Sequence, residues 1–140
     1  MTERSPALPE LVDDLEAAAS RLVATARRCT ATRWGTGSPS LAETVQSLVT
    51  LLAELDHAVE IGAGQRPRAW RSPAPAPYPG ALPDRLAVVS NDLIAALRAA
   101  PPNHQVWYAD APAPVEQLVA AALAAVRATD GPANPATPAS

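Results

Sequence analysis

Apolar residues recur at helical spacing in four separate stretches of this chain, and prolines stand at the edges of those stretches. In the first, Leu8, Leu11, Leu15, Ala18, Leu22 and Cys29 follow three- and four-residue steps, widened by Val12, Ala19 and Val23. That spacing gathers side chains on one helical face and predicts a helix from Pro6 or Pro9 to Thr32, with Ser5 as its N-cap. The second stretch carries Leu41, Val45, Leu48, Leu52, Leu55 and Val59, predicting a helix from Ser40 to Ile61. Ser40 and Glu43 have the spacing of a capping box, and Gly62 and Gly64 follow as C-terminal stops. The third, with Leu82, Leu86, Val89, Leu93, Leu97 and Ala100, predicts a helix from Pro83 to Ala100. The fourth, with Val115, Leu118, Val119, Ala122 and Val126, predicts one from Pro114 to Ala128.

None of the 16 prolines falls beyond the first turn of a stripe. Proline fits the first turn of a helix, where its missing N–H has no partner to lose, and breaks a helix interior. Pro39, Pro83, Pro112 and Pro114 are therefore read as helix openers, and Pro101 and Pro102 as a stop. Four amphipathic helices with these breaks predict an all-α fold: a four-helix bundle of two antiparallel helical hairpins joined by a long Pro/Arg-rich crossover. Residues 1–129 form the expected single domain, with the strap at 62–82 inside it, and 130–140 read as a disordered Pro/Ala-rich tail. Trp34, in the Gly-containing break between the first two helices, is expected to pack against their ends.

Composition changes the picture in three ways. The chain has 140 residues and is 48% hydrophobic, enough for one core, but 32 of its residues are alanine and none is phenylalanine. Small side chains favour close helix–helix approach and make self-association attractive. Lysine is absent and all 11 basic residues are arginine, a pattern that fits a GC-rich genome. The net charge of −3 argues against a nucleic-acid binder. A single cysteine, no basic-then-apolar leader and no long apolar run lead to the expectation of a cytoplasmic protein with no membrane partner.

Candidate chemistry is sparse. Glu54 and His57 have the i, i+3 spacing of a helical metal site, but no second such pair accompanies them, so they read as solvated helix surface. Cys29, within the first stripe, reads as a buried, inert thiol. Arg66, Arg68, Trp70 and Arg71 form a candidate interaction surface, because arginine and tryptophan dominate protein-interface hot spots and guanidinium groups grip anions. His104, Trp107 and Tyr108 form a candidate small-molecule pocket in the loop after the third helix. No nucleotide-binding glycine loop or zinc pattern is present, so no cofactor is expected. The leading expectation is a non-enzymatic protein–protein interaction or structural module. The alternatives are a small-molecule-binding bundle or enzyme at His104, Trp107 and Tyr108, and an anion or nucleic-acid accessory protein acting through Arg66, Arg68 and Arg71.

Overall fold

A computed structural model describes residues 7–62, 74–108 and 110–130. The elements are α1 (Leu8–Arg27), α2 (Ala31–Trp34), α3 (Leu41–Ile61), a 3-10 turn at Pro79–Ala81, α4 (Leu82–Ala99), β1 (Gln105–Tyr108), β2 (Ala111–Pro114) and α5 (Val115–Asp130). The chain is mostly helical, and its four long helices coincide with the four apolar stripes. Leu15, Leu52, Leu86, Leu93, Leu97 and Leu118 form the fully buried centre. At about 25 cal/mol per Å² of apolar surface, these leucines supply much of the driving force that alanine cannot. Among the described residues, no helix is long and apolar enough to cross a membrane.

The packing differs from two hairpins of sequence neighbours. α1 packs along α4 and α5, and α3 packs along the same two helices. α1 and α3 therefore face each other across the bundle rather than side by side. Ion pairs set the directions: Arg27 at the end of α1 meets Asp84 at the start of α4, and Arg98 at the end of α4 meets Asp13 and Glu16 near the start of α1. These two helices are antiparallel. Gln46 near the start of α3 holds Ala76 just ahead of α4, and Val59 near the end of α3 meets His104 just after α4, so α3 and α4 run parallel. A parallel pair obliges the chain between them to return along the bundle. The 21 residues of α3, at 1.5 Å each, make that distance about 30 Å. The second half of the strap lies on the helices. The Ala76 backbone N–H donates to Gln46 Oε1 at 3.0 Å, the Arg85 guanidinium donates to the Ala74 carbonyl, and Ala76 packs against the core. Arg66, Arg68, Trp70 and Arg71 lie outside the described residues, as do Ser5 and the tail after Asp130.

Three local expectations are corrected. α1 stops at Arg27, not Thr32, and its N-cap is Ala7, whose side chain has no oxygen to offer. The segment read as a loop before α5 is an antiparallel ribbon, pairing Val106 with Ala113 and Trp107 with Pro112, so the fold is not purely helical. Pro112 and Pro114 belong to β2 rather than to a helix start. The Val115 N–H bond to the His104 carbonyl makes that pair a hydrogen-bonded one, so by the alternation of an antiparallel ladder Pro114 and Pro112 stand opposite Gln105 and Trp107 at non-bonded positions, where β1 asks for no N–H. Asp110 takes a positive φ of 65° in the tight turn, a conformation short polar side chains accept. By contrast, the capping box of α3 forms as spaced: the Glu43 N–H donates to Ser40 Oγ at 3.1 Å, and the Ser40 N–H donates to Glu43 Oε1 at 2.9 Å.

Candidate functional site

The break between α1 and α3 is built from consecutive caps. The Arg28 N–H donates to the Thr25 carbonyl and the Cys29 N–H to that of Ala26, ending α1. Thr30 then turns extended, and its Oγ1 accepts from the Arg33 N–H at 3.2 Å, starting the single turn of α2. The Thr36 hydroxyl donates to the Thr32 carbonyl at 2.9 Å, and the Leu41 N–H donates to the Thr36 carbonyl at 3.1 Å. These bonds hold Trp34 against the helix ends at 4% exposure, in the place expected for it.

A cavity of about 380 Å³ remains beside Trp34. Leu22 and Ala26 of α1 and Val45 of α3 form its buried floor, Trp34 and Leu41 its wall, and Thr129 of α5 its far side. Arg28, Cys29, Thr30 and Arg33 stand around its mouth. The Thr129 hydroxyl donates to the Ala125 carbonyl at 2.9 Å, and the Cys29 thiol donates to the Thr25 carbonyl at 3.6 Å. Both donors are thereby directed at backbone carbonyls, and the Thr25 and Thr30 side chains join them in the lining. Both arginines are exposed, and no carboxylate lines the cavity. Cys29 is half-buried on this wall rather than fully buried in a helical stripe.

A larger cleft, of about 530 Å³, lies at the opposite end of the bundle between α1, α4 and the Pro101–Asn103 turn. Asp13, Arg98 and Glu116 line it together, so its charges are mixed, and Arg98 already bridges to Asp13 at 3.2 Å and to Glu16 at 2.8 Å. Most of the residues around it are exposed, including Ala7, Pro9, Pro101 and Pro102. It is a surface trough with an internal ion pair.

The structure gathers His104, Trp107 and Tyr108 on and beside β1. His104 Nε2 lies 2.9 Å from the Val59 carbonyl, which can only accept, so the ring nitrogen carries the proton there. The Val115 N–H donates to the His104 carbonyl at 3.0 Å, and Tyr108 packs against the core. These contacts fasten the ribbon to the end of α3 and the start of α5. On α3 itself, Asp56 is pushed up to about 7, first by burial, then by its hydrogen bond to Glu60 and the charges of Glu60 and Asp92. Among the described residues, no group of three or more His, Cys, Asp or Glu side chains is arranged to hold a metal ion.

Arg28, Arg33, Trp34, Leu41 and Val45 did not stand out as a site in the sequence. The arginines near the end of α1 read as complements to its dipole. Their run with Cys29, Thr30 and Trp34 is the one available signal, and only the turn of α2 folds it over an apolar opening. No family model, no curated protein and no solved structure matches the chain.

Proposed function

We propose that the protein is a binding module that holds a small apolar molecule in the cavity under Trp34. The observation carrying this reading is the half-open, largely apolar pocket of about 380 Å³, which falls within the range of roughly 300–1,000 Å³ typical of ligand pockets. A core otherwise filled by leucine and valine leaves this space beside a buried tryptophan, where a larger residue at Ala26 or Thr129 would fill it. A bound guest would regain the dispersion contacts that the lining lacks.

The test uses the neutral dye N-phenyl-1-naphthylamine, whose emission rises in apolar surroundings. The expected result is saturable one-site binding to the full chain and loss of that binding in Leu41→Trp, which fills the mouth from a partly exposed position. Circular dichroism verifies that the variant keeps its helices. Absence of saturable binding to the wild type, or equal binding by the folded variant, overturns the reading.

A second reading, protein–protein interaction or self-association, is favoured by a separate feature. Val88 is 58% exposed on α4 and sits in a groove with Val49 and Val89. Exposed apolar side chains grouped in this way mark contact surfaces. Sedimentation velocity across a range of concentrations tests self-association, with Val88→Glu as the variant. A wild-type mass that stays monomeric throughout removes that form of the reading.

A further inference from the structure

We infer that the groove between α1 and α4 seats α1 of a second copy, so that two chains pair through antiparallel α1 helices about a two-fold axis. The inference rests on the self-association reading above but places the contact on a different face from Val88. Three observations carry it.

The first is a second stripe on α1. Asp13, Ala17, Ser20, Ala24 and Arg27 follow alternating four- and three-residue steps on the face turned away from buried Leu15 and Leu22, and all five are exposed. That spacing is the seam of a helix–helix contact. Its three central side chains are small, so a second helix can approach to the short end of the usual range of roughly 8–10 Å between axes. Ala87, Asn91 and Ile94 of α4 widen the seam into a groove of about 300 Å³ that runs from Glu16 to Arg27. That distance, about 16 Å along α1, accommodates three turns of a docked helix.

The second is a serine at the groove floor. Ser90 lines the groove at 5% exposure, and its buried Oγ has no hydrogen-bond partner. A buried hydroxyl without a partner disfavours the isolated chain, and alanine at this position would avoid that cost. A polar side chain brought in by a docked helix satisfies it. The partner's Ser20, at the centre of its own stripe, is the hydroxyl that enters here.

The third is the distribution of charge. Glu10, Asp13, Asp14 and Glu16 stand toward the start of α1, and among the described residues Arg98 is the one cation bridged to them. Arg21, Arg27 and Arg28 stand toward its end, and Asp84 is the one carboxylate bridged to them. The two ends of the groove therefore keep opposite net charge after their internal ion pairs are made. An antiparallel second copy sets each acidic end against a basic one, whereas a parallel copy sets like against like. The same gradient complements the helix dipole within one chain, and mixing charge variants separates the two effects.

Sedimentation velocity over a range of concentrations reads the dimer constant of the full chain, and the wild type is expected to dimerise. Ala24→Gln, an exposed change to a good helix former, is expected to weaken the dimer about tenfold by standing in the seam. Ser90→Ala is expected to weaken it about threefold while raising the unfolding midpoint of the monomer. Orientation is read by mixing. Glu10→Arg with Asp14→Arg makes both ends basic, and Arg21→Glu with Arg28→Glu makes both ends acidic. Each double variant alone should dimerise less than the wild type, and an equimolar mixture at physiological salt should recover the dimer. Adding Ala24→Gln to both should abolish that recovery. If Ala24→Gln leaves the dimer intact, or the mixture recovers nothing, the α1 assignment is overturned while the self-association reading stands. If the wild type stays monomeric throughout, both fall. Circular dichroism verifies that each variant keeps its helices.

Discussion

At one end of the bundle a two-stranded ribbon closes the core, and at the other a single helical turn does so. The ribbon seals its end twice over. Val106 is fully buried and its partner Ala113 nearly so, plugging the gap between helix ends. The backbone is tied in as well, through the Val115 N–H to the His104 carbonyl and through His104 Nε2–H to the Val59 carbonyl. The α2 end has caps but fewer side chains to spend. Thr30 and Ser40 satisfy backbone donors, and Trp34 alone supplies bulk, so space remains beside it. Satisfying hydrogen bonds and filling volume are thus separate tasks. Both ends accomplish the first, and each leaves some of the second undone: about 380 Å³ beside Trp34 and about 530 Å³ beside the Pro101–Asn103 turn. The ends differ in what lines the open space: buried Leu22, Ala26, Trp34 and Val45 contribute to the pocket at the α2 end, whereas most residues around the cleft at the ribbon end are exposed.

Trp34→Ala gives the largest expected effect, because it removes the one bulky side chain closing the α2 end. It should lower unfolding free energy by about 3–5 kcal/mol in a urea titration. A loss near zero would mean that the α2 end does not depend on its roof and that the contrast between the ends is misplaced.

At the ribbon end the sensitive position is backbone. Gly62 has φ 68° and ψ −165°, a region nearly restricted to glycine, and an added Cβ would stand 3.2 Å from His104 Cε1. Gly62→Ala should cost about 2 kcal/mol. Combining it with His104→Ala relieves the contact but not the dihedral strain, so a double-mutant cycle should recover only part of that loss. Full recovery would assign the whole effect to the side-chain contact.

Asp56, in the ribbon-end half of α3, adds a pH dependence to the comparison. Its folded pKa lies near 7, well above the ordinary carboxylate value, with burial the leading cause. The neutral acid therefore stabilises the fold below about 4, and that contribution is lost as pH rises toward and through 7. Because the side chain is partly exposed, solvent screening reduces the change to about 1–2 kcal/mol. Unfolding free energies at pH 5 and pH 8 should differ by that amount in the wild type and by less in Asp56→Asn. An equal slope in both proteins would remove Asp56 as its source.

Ser40→Ala is the smallest of these changes, about 1 kcal/mol for loss of the α3 cap. The Glu43 carboxylate is held below the usual carboxylate range chiefly by the Ser40 backbone N–H, which alanine retains, and less by the Ser40 hydroxyl, which the substitution removes. Carbon-13 chemical shifts of the Glu43 carboxyl through an acid titration should move its pKa upward in the variant. No movement would separate the cap from the Glu43 environment.

Local rules made much of the framework legible. The helix from Ser40 to Ile61 was readable from its stripe and capping box because those interactions lie within four residues of one another. The core faces of α4 and α5 followed from their spacing in the same way. The end of α1 was overextended because Cys29 continues the apolar pattern, although Thr30 breaks the helix and starts another. The ribbon went unread because two four-residue strands give too short an alternation, and Pro112 and Pro114 carry the same mark as a helix start. Val106-Trp107-Tyr108 was its available signal. The cavity had no comparable signal, since its lining joins Leu22, Trp34, Val45 and Thr129 from four helices.

By itself, then, the sequence determined where the chain is helical, which faces are apolar and where proline and glycine interrupt them. These are short-range consequences of side-chain spacing and backbone freedom. Only the tertiary structure decided that α1 and α3 lie across the bundle from each other, that the strap lies on the helices at Gln46, and that Arg28 and Arg33 stand over an apolar cavity. Helical stripes say that a face must be covered but not which helix covers it. Partner choice depends on the summed fit of many weak contacts between distant segments, and so does the volume left unfilled.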